Sequence, residues 1–208
     1  MTKQQSSLTL NTSNNSNIYS ITTPFEQGLT MEWQSNESKL YEVISTSLID
    51  WLFDNASLTK RLLKHCQNFE VKVLPSTKNI LSDDECSMFD DADILCREVL
   101  LICDGVPQVY ARTLIPTTTF NHANEQLKSL KNSSLGDILF NDPSMKRSHI
   151  EVCNVESPST LMTLSQQLSL PTINTIWGRR SMFYLQDYPL SVAEFFLPNS
   201  YAYSKALL

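Results

Sequence analysis

REVLLICDGVPQVYARTLIP, residues 97–116, is two runs of strand-forming residues on either side of Asp104 and Gly105. Asp-Gly between apolar runs is the strongest short hairpin signal, because both residues tolerate the positive φ that a tight two-residue turn requires. Such a turn fixes the register. Cys103 pairs with Val106, and stepping outward sets Leu101 opposite Gln108, Val99 opposite Tyr110 and Arg97 opposite Arg112. Pro107 then opposes Ile102 at a non-hydrogen-bonded pair, where its missing N–H removes nothing from the ladder.

Two like charges opposed on one face of a hairpin repel. Their neighbours on that face include Val99, Leu101, Cys103, Tyr110 and Leu114, residues that belong in an interior. Three arrangements would satisfy the pair. Each arginine meets an acidic side chain from elsewhere, or this end of the sheet is open to water, or something negative sits between them. Glu194 is the mirror case. It lies in LSVAEFFLP among Val192, Ala193, Phe195 and Phe196, so it is either paired with a buried arginine or held for binding and proton chemistry.

Outward from the hairpin, the periodicity predicts further elements. Apolar positions at Leu40, Val43, Ile44, Leu48, Trp51 and Leu52 follow helical spacing over residues 38–53. Ser57 is a good N-cap for a short helix through Leu58, Leu62 and Leu63. FEVKVLP (residues 69–75) alternates as a strand, and residues 76–93 read as a solvated acidic loop. Residues 121–131 suit a polar helix, SLGDILFND (134–142) a short helix, and KRSHIEVC (146–153) a strand. Residues 176–198 form a closing hairpin that turns within residues 186–189. Residues 154–175, polar and weakly patterned, read as an insertion or long loop. The fold class is therefore α+β, with helices flanking an antiparallel sheet of about six strands. The Ser/Thr/Asn-rich residues 1–33 are expected to be a disordered tail, and residues 34–208 a single domain.

The chain of 208 residues carries a formal charge of -6 and is 41% hydrophobic. That acidity argues against general nucleic-acid or anionic-membrane binding, so an anionic ligand would need locally concentrated arginine. The five cysteines are an odd number without CxxC pairing and read as reduced core thiols. His65, His122 and His149 lie far apart, so no metal site is expected. The N-terminus shows neither a basic cluster nor an apolar stretch, and no run approaches the roughly 20 apolar residues of a membrane span. The expectation is a soluble cytoplasmic monomer.

The pieces SLTKRL, REVLLICDGVPQVYARTLIP, SSLGDILF, SHIEV, IWGRRS and PLSVAEFFLP, in that order, resemble the chorismate pyruvate-lyase family of ubiquinone biosynthesis. The resemblance runs from Trp51 to Tyr203. It implies an antiparallel sheet whose ligand pocket is closed by helical flaps, and elimination of pyruvate from chorismate to give 4-hydroxybenzoate without a cofactor. It further implies that Arg97 holds the ring carboxylate, and that Leu58 and Leu135 touch it from the flaps through backbone N–H groups. Glu194 would lie beside the ring hydroxyl and Arg112 near the enolpyruvyl side. The product, fitting the same closed pocket, is expected to inhibit.

Three departures from the family pattern stand out. Leu58 replaces a methionine, Ala111 a glycine, and residues 154–175 are longer than usual. In GRRS, adjacent strand residues point to opposite faces, so at most one of Arg179 and Arg180 can face a pocket. A structural or surface ion-pair role is expected for both, outside the site. The rival reading is a non-catalytic binder of small aromatic acids, a sensor or carrier on the same fold.

Overall fold

The computed structural model describes residues 28–35, 40, 44–75, 80–91, 93–122, 127, 135–157 and 159–204. Its centre is one antiparallel sheet. β1 (Phe69–Val73), β2 (Ile94–Cys103), β3 (Val106–Pro116), β7 (Tyr188–Phe196) and β6 (Thr175–Leu185) lie side by side in that order. Both β4 (Lys146–Arg147) and β5 (Glu151–Glu156) pair with the outer edge of β6. The sheet thus has seven strands, one more than about six, because KRSHIEVC divides into β4 and the start of β5.

The two long hairpins turn as their residues dictate. Asp104 and Gly105 take φ of 48° and 78°, and Gln186 and Asp187 take 50° and 70°, the positive values that match the twist of the flanking strands. The first hairpin does not keep the expected register. Cys103 pairs with Val106 and Ile102 with Pro107, but the next pair is Leu101 with Val109. Gln108 is an extra residue in β3. Its carbonyl accepts from Leu197 N–H at 2.9 Å and its buried Oε1 from Tyr201 N–H at 3.1 Å. Pro107, with no N–H to continue the ladder, sits at the start of this bulge. Beyond it Arg97 faces Thr113, and Arg112 faces Glu98. A one-residue slip exchanges the faces of a strand, so Arg97 and Arg112 lie on opposite sides of the sheet.

On the front face, Val71, Val99, Leu101, Val109 and Phe196 form a core with α1 (Thr46–Leu52) and α2 (Leu58–Leu62). Ser45 and Ser57 cap these helices, their hydroxyls accepting from Leu48 and Lys60 N–H. α1 begins well inside the expected span of residues 38–53, of which residues 38–39 and 41–43 lie outside the described part. Farther along the same face, Ile115, Phe183 and Leu190 pack with Leu135 and Leu139 of α5 (Leu135–Asn141). The expected helix over residues 121–131 falls largely outside the described residues; a short α4 (Thr117–His122) ends just inside it.

The back face is covered by elements that the sequence pattern hid. Leu161, Met162 and Leu164 of α6 (Thr160–Gln167) pack on Leu100, Tyr110, Ile176 and Phe195, so the stretch read as an insertion or long loop begins as the end of β5 and contains a helix packed on the sheet, with an irregular segment over residues 168–174. The expected acidic loop contains α3 (Asp83–Ser87), held by a capping box between Ser82 and Glu85. Residues 28–33, assigned to the tail, also belong here: Leu29 is buried and its N–H donates to Glu85 Oε2 at 3.1 Å. Buried Cys103 and Cys153 behave as core thiols, burial pushing each up to about 12, while Cys86 is exposed. No described helix is long and apolar enough to cross a membrane.

Gly178 of β6 lies across from Phe195, and a Cβ there would come within 2.4 Å of the Phe195 ring. Gly178→Ala should therefore lower stability by about 1–3 kcal/mol through overpacking, read as an earlier urea midpoint. An unchanged midpoint would show that the ring moves aside freely.

Candidate active site

Strand alternation brings four ionisable side chains to the front face. Arg97 comes from β2, Glu194 from β7, Arg179 from β6 opposite Glu194, and Arg147 from β4 opposite Phe183. All four line one cavity, which has ≈ 550 Å³ of atom-free space including its mouth. Between them the wall is apolar, with Val99, Leu101, Ala111, Phe183 and Val192. Leu58 and Leu135, the first residues of α2 and α5, line it from the helical side. Lys60 Nζ of α2 donates to Asn141 Oδ1 of α5 at 3.4 Å, linking the two helices.

Each charged group is positioned by specific contacts. Arg179 is almost wholly buried and donates from Nε to Glu194 Oε2 at 2.7 Å. Its Nη1 donates to the carbonyls of Trp51 and Asp54 at 2.9 and 2.8 Å. Arg147 donates from Nε to Ser181 Oγ at 3.0 Å and from Nη1 to Asn55 O at 3.2 Å, with its guanidinium 5.1 Å from the Phe183 ring centre. Burial, and next the charge on Arg179, lower the pKa of Arg147 to about 10. Burial also lowers that of Arg97. Three guanidinium groups against one carboxylate leave the lining with a formal excess of two positive charges. Desolvated cations of this kind favour an anionic ligand, and the apolar wall favours a planar carbon body.

Of the residues expected at a site, Arg97, Leu58, Leu135 and Glu194 line this cavity and Arg112 does not. Arg112 is buried behind the sheet. Its Nε donates to Glu85 Oε1 at 2.6 Å, Nη1 to Glu98 Oε1 at 2.8 Å and Nη2 to Ile80 O at 2.7 Å. Tyr110 OH donates to the same Glu98 oxygen at 2.5 Å. Burial opposes the charge on Arg112 most strongly, but the hydrogen-bonded Glu85 carboxylate together with Cys96 and Tyr110 raises its pKa overall. The expectation that set Arg112 beside Arg97 is corrected by the bulge at Gln108.

Arg179 and Arg180 do point to opposite faces. Arg180 is behind the sheet, bonded to Glu151 at 2.7 Å and Asp84 at 2.8 Å and lying over Trp33. Arg179 has the expected ion-pair role, with Glu194, and it also lines the cavity, a position that the sequence does signal. A two-residue turn at Gln186 and Asp187 pairs Leu185 with Tyr188, and counting back sets Arg179 against Glu194. Arg147 gave no such signal, because its strand is two residues long.

Comparison with known proteins places the chain in a family. A family model described as chorismate lyase matches residues 30–208. The chain belongs to the chorismate lyase family. A probable chorismate pyruvate-lyase of Pseudoalteromonas translucida is 38% identical over 181 residues, covering 86% of this chain and 98% of that protein. One of Psychromonas ingrahamii is 40% identical over 161 residues, covering 76% and 87%. Among solved structures, the ligand-binding domain of a putative GntR-family regulator from Bordetella bronchiseptica matches with a TM-score of 0.47 and 14% identity, covering 68% of this chain and 92% of that one. For a family member, the lining supplies anion-binding guanidinium groups and one carboxylate. Among the described residues no three of His, Cys, Asp and Glu gather as a metal site.

Because Arg179 is buried, its carboxylate partner is also structural. Glu194→Ala should lower stability by about 3 kcal/mol, the cost of breaking one side of a buried pair, whereas Glu194→Gln keeps an acceptor for Arg179 Nε and should lose less. Equal urea midpoints for the two variants would show that the ion pair carries no stability.

Proposed function

We propose that this protein is a chorismate lyase that eliminates pyruvate from chorismate to give 4-hydroxybenzoate, the first step of ubiquinone biosynthesis. The observation that carries this reading is the charge of the cavity. An excess of two positive charges around an apolar wall is complementary to chorismate, which has one carboxylate on its cyclohexadiene ring and a second on its enolpyruvyl ether side chain. Family membership supplies the reaction class.

Arg97 holds the ring carboxylate at the end of the cavity that Leu58 and Leu135 close. As first residues of their helices, both have N–H groups unused within the helix. Glu194 accepts from the ring hydroxyl: its Oε2 is occupied by Arg179, while among the described residues Oε1 takes no hydrogen bond. In the reaction the proton on the hydroxyl-bearing carbon leaves, its electrons complete the aromatic ring, and the bond from the neighbouring carbon to the enolpyruvyl oxygen breaks. The enolpyruvate released takes a proton at its methylene carbon to become pyruvate. Aromatisation drives these steps. The protein's task is to hold the dianion, orient the hydroxyl and offset charge on the leaving oxygen. Arg112, behind the sheet, has a structural part.

Purified protein incubated with chorismate should release pyruvate and 4-hydroxybenzoate in equal amounts. Binding of 4-hydroxybenzoate without any pyruvate would favour the carrier or sensor instead. Arg97→Ala should lower kcat/KM by about 100-fold or more with little change in the unfolding midpoint, and Glu194→Gln should slow turnover while product still binds. Full activity in Arg97→Ala would remove it from the site.

The lids bear on release. Closure desolvates the bound anion and strengthens its contacts, and the ring carboxylate is common to substrate and product. Rapid mixing with excess chorismate should therefore show a fast first turnover and a slower steady rate set by lid opening. Leu58→Ala should reduce both the burst and inhibition by 4-hydroxybenzoate. A linear trace from the first turnover, with weak product inhibition, would place the slow step in the chemistry.

A further inference from the structure

Arg97 and Glu194 account for the ring of the substrate, which leaves two guanidinium groups of the same cavity unused. Arg147 and Arg179 are close neighbours, since the Nη1 groups of both donate to the carbonyl of Asp54, at 3.4 and 2.8 Å. Ser181, on the same face of β6 as Arg179, accepts from Arg147 Nε and leans it along the strand towards Arg179. Their other protein acceptors are carbonyls of Trp51, Leu52 and Asn55, which are neutral, and the single carboxylate Glu194. Among the described residues, Nη2 of neither arginine takes part in a hydrogen bond, and both side chains line the cavity.

Two adjacent cations, Arg179 buried and Arg147 half-buried, have only the Glu194 carboxylate hydrogen-bonded to one of them and the Asp54 carboxylate, itself bonded to Arg61, near both, and carbonyl dipoles compensate the remainder poorly. The back face shows the alternative in this same chain: Arg112 there meets two carboxylates, Glu85 and Glu98. A pair built only to hold residues 51–55 in place would not need the cavity side left cationic. The repulsion is felt at Arg147, whose pKa is lowered by burial and then by Arg179. An arriving anion would relieve it.

We propose that Arg147 and Arg179 together form the subsite for the second carboxylate of the substrate, the one on its three-carbon ether side chain. This rests on the chorismate lyase reading given above. It divides the cavity into an end that recognises the ring, through Arg97, and an end that recognises the leaving group. 4-Hydroxybenzoate has no group for the second end, so the arginine pair discriminates substrate from product. It also holds the pyruvyl carboxylate while the ether bond breaks, which makes both residues contributors to transition-state charge balance.

The test uses an unreactive dicarboxylate, 4-(1-carboxyethoxy)benzoate, beside 4-hydroxybenzoate, with affinities measured by titration calorimetry. Arg147→Gln should weaken the dicarboxylate by about 30-fold or more, the scale of a charge-assisted hydrogen-bonded contact, while 4-hydroxybenzoate changes less than about threefold by the same reasoning. KM for chorismate should rise with the dicarboxylate Kd, and Arg147→Lys should recover part of both. Equal weakening of the two ligands, or no weakening, overturns the proposal and leaves Arg147 a clasp for residues 51–55. Should Arg147→Gln not fold, the wild-type protein decides the matter with the side-chain amide, 4-(1-carbamoylethoxy)benzoate. The amide should bind about 30-fold less tightly than the acid, and equal affinities overturn the subsite. The two readings fail separately. A protein that makes no pyruvate yet prefers the dicarboxylate through Arg147 keeps the subsite and loses the enzyme. Chorismate turnover without that preference does the reverse.

Discussion

Gln108 takes up one position in β3 that β2 does not match, and the distribution of charge in this protein follows from that mismatch. Beyond the bulge, Ala111 and Thr113 share the front face with Arg97 and Val99, while Arg112 falls behind with Glu98 and Leu100. β7 takes its register from β3, which puts Glu194 beside Ala111 at the front, and β6 takes its register from β7, which puts Arg179 there too. Without the extra residue, Arg112 would join Arg97, and Glu98 would lie behind the sheet without a cation beside it. The bulge is kept in place by what it bonds to: the end of β7 at Leu197 and the turn at Tyr201.

The two faces then obey different electrostatic rules. Behind the sheet, Arg112 and Arg180 each meet two carboxylates at hydrogen-bonding distance. That balance is needed where no ligand enters, since a buried ion with a missing partner is strongly destabilising. At the front, three arginines meet one glutamate. The deficit falls on the face that carries the cavity, where the proposed anionic ligand would supply the missing charge.

The sequence showed those features whose cause is local. The hairpin at Asp104 and Gly105, the Ser57 cap and the helix over Leu135 and Leu139 follow from a turn dipeptide, one hydroxyl and one spacing. Arg97 and Glu194 stood out as charges in apolar runs, and both face the cavity. What stayed hidden depends on partners distant in the chain. Glu85 looked solvated because its neighbours Asp83 and Asp84 are acidic, yet it alone of the three is buried, against Arg112 from β3. Residues 160–167 carry three leucine or methionine side chains in a polar context, too few to show a helix until the back of the sheet supplies a surface. Arg112 falls elsewhere because an ideal hairpin register takes no account of a bulge whose bonds go to Leu197 and Tyr201, distant in the chain.

A final constraint links the cavity to its lids. The carbonyls that Arg147 and Arg179 hold, from Trp51 to Asn55, belong to the segment that joins α1 to α2. α2 is tied back to that segment by Arg61, which bonds Asp54 at 2.8 Å and stacks 3.8 Å over the Trp51 ring. The path from guanidinium to lid is therefore short: Arg179 to Asp54, Asp54 to Arg61, and Arg61 into the helix that begins at Leu58. The cations of the cavity and the start of α2 are thus joined through one short segment, and a chain of formal charge -6 concentrates positive charge there.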